Sequence, residues 1–130
     1  MARLIYLAPS PKRVRWLRDS RLALQGLPPQ VRQHVGRALW EAQLGQKSLS
    51  AKPLKGFGGA GVLEIVDFFG GNAYRAVYTV KFAGVIYVLL VFQKKSKKKV
   101  ATPKNIVSLI HERLKLAAED YEQWQAENQS

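Results

Sequence analysis

A chain of 130 residues is long enough for one domain with its own core, and 47% hydrophobic residues, including three Trp, five Tyr and five Phe, can fill it. With no Cys, disulfides, thiolate metal sites and a cysteine nucleophile are excluded. Twenty-one Lys and Arg against nine Asp and Glu leave a net charge of +12, which bears on the partner rather than on the fold.

Arg3 to Ala8 reads as a first strand, ended by Pro9 and Pro11. Val14, Leu17, Arg21 and Leu24 recur at helical spacing, with Trp16 beside them, which predicts a basic amphipathic helix over Lys12–Leu24. Gly26-Leu27-Pro28-Pro29 breaks the chain and places a proline in the first turn of a second helix over residues 29–44, whose stripe is Val31, Val35, Ala38 or Leu39, and Ala42. Residues 46–61 read as a polar and then glycine-rich connection.

Beyond it the period changes. Val62–Phe69 is apolar, β-branched and aromatic; Gly70-Gly71-Asn72 turns it into Ala73–Val80; Gly84 leads into Val85–Gln93. Three consecutive antiparallel strands are expected there. Thr102 as N-cap and Pro103 at the first helical position open a last helix, with Ile106, Ile110, Leu114 and Ala117 as its stripe to about Asp120. Tyr121–Ser130 reads as a polar tail. The order β-α-α-β-β-β-α predicts an α+β domain, a mostly antiparallel sheet with helices packed on one face. Val62-Leu63 and Val85-Ile86 place apolar groups on both faces, to be covered by a partner or by the chain's own helices.

The longest apolar run, Val85 to Phe92, is far short of the roughly 20 residues that cross a bilayer. The segment Met1 to Pro9 lacks the apolar stretch of a secretory signal. A cytoplasmic protein without a membrane partner is the expectation.

The charge is uneven. Residues 93–104 hold six lysines and no acid, whereas residues 105–130 are net acidic. Lys94, Lys95, Lys97, Lys98 and Lys99 repel one another unless an anion offsets them, and a polyanion releases counterions when they bind it. Phe92 and Gln93 precede that cluster at a strand end, so a ring to stack on a base and an amide stand beside amines for phosphates. Arg75 lies mid-strand and must be paired or on an open face; Glu64 on the neighbouring strand is the natural partner.

Other patterns carry less. Gly56-Phe57-Gly58-Gly59-Ala60-Gly61 has the letters of a dinucleotide fingerprint, but a strand follows it where that motif needs a helix. His34 and His111 have no carboxylate or imidazole three or four residues away, so no metal site is expected, and no nucleophile elbow marks a serine hydrolase.

One ordered series is specific: Lys52-Pro53-Leu54-Lys55-Gly56, Val62-Leu63-Glu64-Ile65, Tyr74-Arg75-Ala76-Val77-Tyr78, Val88-Leu89, Phe92-Gln93-Lys94-Lys95-Ser96-Lys97, Thr102-Pro103 and Arg113-Leu114-Lys115. In this series the chain resembles the phage-derived HigB-like toxins of the RelE/ParE superfamily, whose fold is similar to the order read above. The resemblance implies the toxin of a type II toxin–antitoxin pair: a metal-independent endoribonuclease that cuts mRNA on the ribosome, needs no cofactor, and is neutralised by a helix-turn-helix antitoxin. By position it implies catalytic roles for Lys55, Arg75 and Lys94, and RNA binding by Lys52, Phe92, Gln93, Lys95, Lys97 and Lys98. Many members carry His where this chain has Leu90, which removes one proton carrier. A non-catalytic RNA- or ribosome-binding module, or a ParE-like gyrase inhibitor, are the alternatives within the same fold.

Overall fold

A computed structural model of the chain describes residues 10–59, 61–94 and 104–128. The strand expected at Arg3–Ala8 and the lysines after Lys94 lie outside the described residues. The elements are β1 (Arg13–Trp16), α1 (Ser20–Gln25), α2 (Pro29–Gln43), β2 (Ala51–Pro53), β3 (Val62–Phe69), β4 (Asn72–Thr79), β5 (Val85–Lys94) and α3 (Lys104–Asn128).

The helix expected over Lys12–Leu24 is corrected. Its first half is β1, and only Ser20–Gln25 is helical. Val14 and Trp16 alternate with Arg13 and Arg15, and the strand pairs in parallel with β5, Arg13 opposite Val85 and Trp16 opposite Val88. That partner is some seventy residues away, so nothing local announces it. Arg18, at φ 52°, turns the chain from strand to helix.

The sheet order is β1-β5-β4-β3-β2. The three antiparallel strands expected from the sequence are β3, β4 and β5. β2, hidden in the expected polar connection, adds a short antiparallel edge to β3, with Ala51 opposite Ile65. β5 lies inside the sheet, between β1 and β4, and its Val85, Ile86, Tyr87, Val88 and Leu89 are all fully buried. Burying such side chains contributes about 1.5–3 kcal/mol each, before the entropy of ordering them is set against it.

Helices cover both faces, not one. On one face α1 and α2 pack Leu24, Val31, Val35 and Leu39 against Ile65, Tyr78, Ile86 and Val88. On the other, α3 packs Ile110, Leu114 and Ala117 against Val77, Val85, Tyr87 and Leu89. Doubly covered strands have no polar face, which is why β5 reads as an unbroken apolar run.

Between Val77 and Tyr78 the β4–β5 register slips, so that Leu89 has no residue opposite it. Its carbonyl accepts instead from Arg113 Nη1 at 2.9 Å, tying α3 to the bulge. Near the same end of β4, Gly61 (φ +67°) passes so close to the strand's exit that a Cβ would lie 3.2 Å from the Lys81 nitrogen. Only glycine suits that turn.

The tail expected after Asp120 is instead the last two turns of α3. Tyr121 packs on Phe82 with ring centres 5.0 Å apart and donates its hydroxyl to the Ala83 carbonyl at 2.9 Å; Trp124 stacks on Tyr121. Asp120 anchors this segment. It accepts from Arg15 Nε at 2.6 Å and Nη2 at 3.1 Å, and from the Tyr87 hydroxyl at 2.7 Å.

The fork from Arg15, helped by Tyr87, holds the Asp120 carboxyl below its ordinary 3.8 against the opposing effect of burial. A lowered carboxylate pKa stabilises the fold above the unfolded-state value and loses that contribution as pH falls through the folded-state value. The Tyr87 phenol is pushed up, by burial first and by its bond to Asp120 second, so its share is complete below about pH 10 and declines above it. Thermal melts from pH 7 to pH 2 should therefore show a steeper acid loss for the native chain than for Asp120→Asn. The difference should be about 1 kcal/mol, since both Arg15 and Asp120 are about one-third exposed.

Tyr78 is a different case. Its hydroxyl is buried and has no hydrogen-bond partner among the described residues. Burial, with a smaller push from the Glu41 charge, raises the phenol to about 12. Removing an unsatisfied buried hydroxyl relieves a desolvation penalty. Tyr78→Phe is expected to leave stability unchanged or raise it by about 1 kcal/mol, read from a denaturant midpoint. A loss of similar size would mean the hydroxyl is bonded in solution.

Candidate nucleic-acid interface

Alternation along the strands sorts the charged residues by face. Ala51, Ile65, Tyr74 and Ala76 belong to the core under α2, so Lys52, Glu64 and Arg75 stand on the α3 side with Val62 and Val77. The register completes a row across four strands. Lys52 lies directly opposite Glu64, and Arg75 directly opposite Phe92.

Glu64 and Arg75 sit two positions apart across β3 and β4, and Arg75 Nη1 donates to both Glu64 carboxylate oxygens at 3.1 Å. This is the cross-strand pair expected from the sequence. What the sequence did not disclose is its depth: the side chains are 4% and 12% exposed. A buried pair of this kind defines geometry more than it adds stability, because desolvation offsets most of the attraction.

Around the pair the placements differ. Lys52 is exposed on β2, and Phe92 is partly buried against the α3-side core. Lys55 is exposed in the turn after β2; the next residue, Gly56, is close to Val107 near the start of α3. Phe57 then stacks on His111 at 4.1 Å, which pins the glycine-rich loop to α3. A strand precedes and a strand follows that loop, so its letters do not make a dinucleotide site.

Gln93 is exposed opposite Tyr74, on the α2 face, and is separated by the sheet from Lys52 and Arg75. Lys94 occupies the last register position of β5, opposite Ala73. Lys95, Lys97 and Lys98 lie outside the described residues. Leu90 is buried opposite Val77, so an aliphatic side chain fills the α3 face at that position.

Among the described residues no three His, Cys, Asp or Glu come together to hold a metal ion. No helix in them is long and apolar enough to cross a membrane. The row offers fixed charge, one oriented carboxylate and one ring.

These features define a class: an α+β protein whose mostly antiparallel sheet carries a paired arginine flanked by exposed lysines. Within that class the chain belongs to the phage-derived Gp49-like family (DUF891), whose model matches residues 23–115, well over half of the sequence. That match bears out the resemblance read from the Lys52-to-Lys115 series. Among solved structures the chain is similar to one from the toxin–antitoxin complex RelBE2 of Mycobacterium tuberculosis, with 25% identity over 66% of this chain and 94% of the other and a TM-score of 0.43. A search of curated proteins found no match.

Proposed function

We propose that this protein is the toxin of a type II toxin–antitoxin pair and cleaves mRNA on the translating ribosome. The observation that carries the reading is the Arg75–Glu64 pair, set in the sheet between the exposed Lys52 and the Phe92 ring.

In the reaction the ribose 2′-OH attacks the adjacent phosphorus and the O5′–P bond breaks, leaving a 2′,3′-cyclic phosphate and a 5′-OH. One proton must leave the 2′-OH and one must reach O5′. Arg75 and Glu64 balance each other's charge, so the positive charge that draws in the backbone comes from the neighbouring lysines, Lys52 on β2 and Lys55 in the turn after it, with Lys94 at the end of β5. Those lysines draw in the backbone and offset the charge that grows on the phosphorane. Arg75 fixes Glu64, whose carboxylate takes the 2′-OH proton, while solvent water supplies the proton that O5′ takes up as it leaves. Phe92 stacks on a base. Lys95, Lys97 and Lys98 extend the phosphate contacts; Gln93, on the other face, takes no part. A helix-turn-helix antitoxin encoded beside the toxin is the proposed natural inhibitor.

A second reading has one observation in its favour. Leu90 leaves the α3 face without the His of many relatives, which suits a module that binds ribosomes without cutting. Primer extension on total RNA after induction separates the readings. Discrete new 5′ ends in mRNA, absent when Glu64→Gln is induced, support cleavage. Intact transcripts with salt-sensitive ribosome association identify the binding module. Intact transcripts with double-strand DNA breaks identify a gyrase inhibitor.

A further inference from the structure

On the opposite face of the sheet, three residues from three elements meet, one pair hydrogen-bonded and the other at ion-pair distance. His34, in the middle of α2, has Nδ1 3.1 Å from Asp67 Oδ2 on β3 and Nε2 2.8 Å from the Ser50 hydroxyl, in the turn before β2. We infer that Ser50 is a reactive nucleophile, activated by His34 and Asp67 and able to accept an acyl group from small activated esters.

The tautomer follows from the partners. A carboxylate only accepts, so Asp67 draws the imidazole proton to Nδ1 and leaves Nε2 as an acceptor. The Ser50 hydroxyl must then donate to Nε2, the arrangement a general base needs to take a serine proton. Asp67 holds the ring and offsets the positive charge that forms on it.

The turn fixes the nucleophile. The Ser50 N–H donates to Ser48 Oγ at 3.1 Å and the Ala51 N–H to the Ser48 carbonyl at 3.0 Å, while Ser48 itself is buried. The relay remains open to solvent: the His34 and Asp67 side chains are 32% and 20% exposed, Ser50 is half-buried, and its neighbour Leu49 is fully exposed.

The step balances without a further reagent. Ser50 Oγ bonds to the acyl carbon, the bond from that carbon to the leaving oxygen breaks, and the serine proton passes through His34 Nε2 to the leaving alkoxide or phenoxide. Nothing is oxidised or reduced. The peptide N–H groups of Ser50 and Ala51 are already bonded within the turn, so neither offers an oxyanion donor. Loss of one such donor lowers turnover by about 10²–10³ in serine hydrolases. The expected behaviour is thus stoichiometric acylation with slow release, and good aryl leaving groups are the substrates that suit it.

The full-length protein is treated with p-nitrophenyl acetate and, separately, with a fluorophosphonate probe. A single p-nitrophenolate burst of about one equivalent is expected, with the adduct mapped to Ser50 by peptide mass spectrometry. Ser50→Ala should abolish it. Asp67→Asn should slow labelling at least about tenfold, because the tautomer is no longer held. His34→Gln should slow labelling at least as much in a folded variant, a loss that a purely structural clamp between α2 and β3 would not produce. Melting curves accompany each variant, and the native chain alone decides if a variant fails to fold. No adduct on the native protein, an adduct spread over other serines and lysines, or labelling undiminished in folded His34→Gln would each overturn the proposal.

Discussion

Arg75→Ala is expected to abolish mRNA cleavage and to destabilise the fold by about 3–5 kcal/mol, because it strips a nearly buried carboxylate of its guanidinium. Against a total stability of about 5–15 kcal/mol, such a loss could mimic a catalytic defect by depleting folded protein. The partner substitution removes that ambiguity. With Glu64→Leu and Arg75→Met together, both charges are gone, and such replacements are neutral or stabilising in other buried pairs. The double variant should melt near the native chain and still leave every transcript whole. If it cuts mRNA at the native sites, the pair is only a structural strut and the assignment of Glu64 and Arg75 fails.

The second large effect lies in the packing of α3. Ile110 is 0% exposed and sits among Val85, Tyr87 and Leu89 under the helix. Ile110→Ala should cost about 2–5 kcal/mol, the range for emptying a core site that cannot collapse. The rigid surroundings favour the upper half, since β5 is held between β4 and β1 and cannot move toward the cavity. Leu114→Ala, on the same stripe but only partly buried, should cost less. Urea midpoints for the two variants give the comparison directly. Equal and small losses would mean that α3 does not pack on the sheet as described.

Much of this architecture was readable from local pattern. Val31, Val35, Leu39 and Ala42 mark α2 by their spacing, with Pro29 at its start. The glycine turns at 70–71 and 84 delimit β3, β4 and β5, and the stripe of Ile106, Ile110, Leu114 and Ala117 marks α3. The Arg75–Glu64 pair was also legible, since two opposite charges inside adjacent apolar strands have little choice but to meet. What escaped were elements whose partner is distant. β1 resembled a helix until β5 was placed beside it, and Tyr121 and Trp124 looked like tail residues until Phe82 gave them a surface.

The candidate sites divide in the same way. That Lys52, Lys55, Arg75 and Lys94 belong to a basic region could be inferred from residue types in order, and so could the family. Which face each occupies could not. Leu89's bulge changes the parity of β5 after Val88, so the strand positions on either side cannot be assigned to a face by counting alone. Ser50, His34 and Asp67 have no mutual spacing at all.

The amino-acid order alone determined the charge, the periodicities and hence the kinds of element, because propensity and amphipathic spacing act over a few residues. Tertiary structure alone decided that helices close both faces, that Arg75 is sunk rather than presented, and that His34 bridges a serine and a carboxylate. Those outcomes depend on contacts between residues far apart in the chain, whose free energy appears only when the whole sheet has assembled.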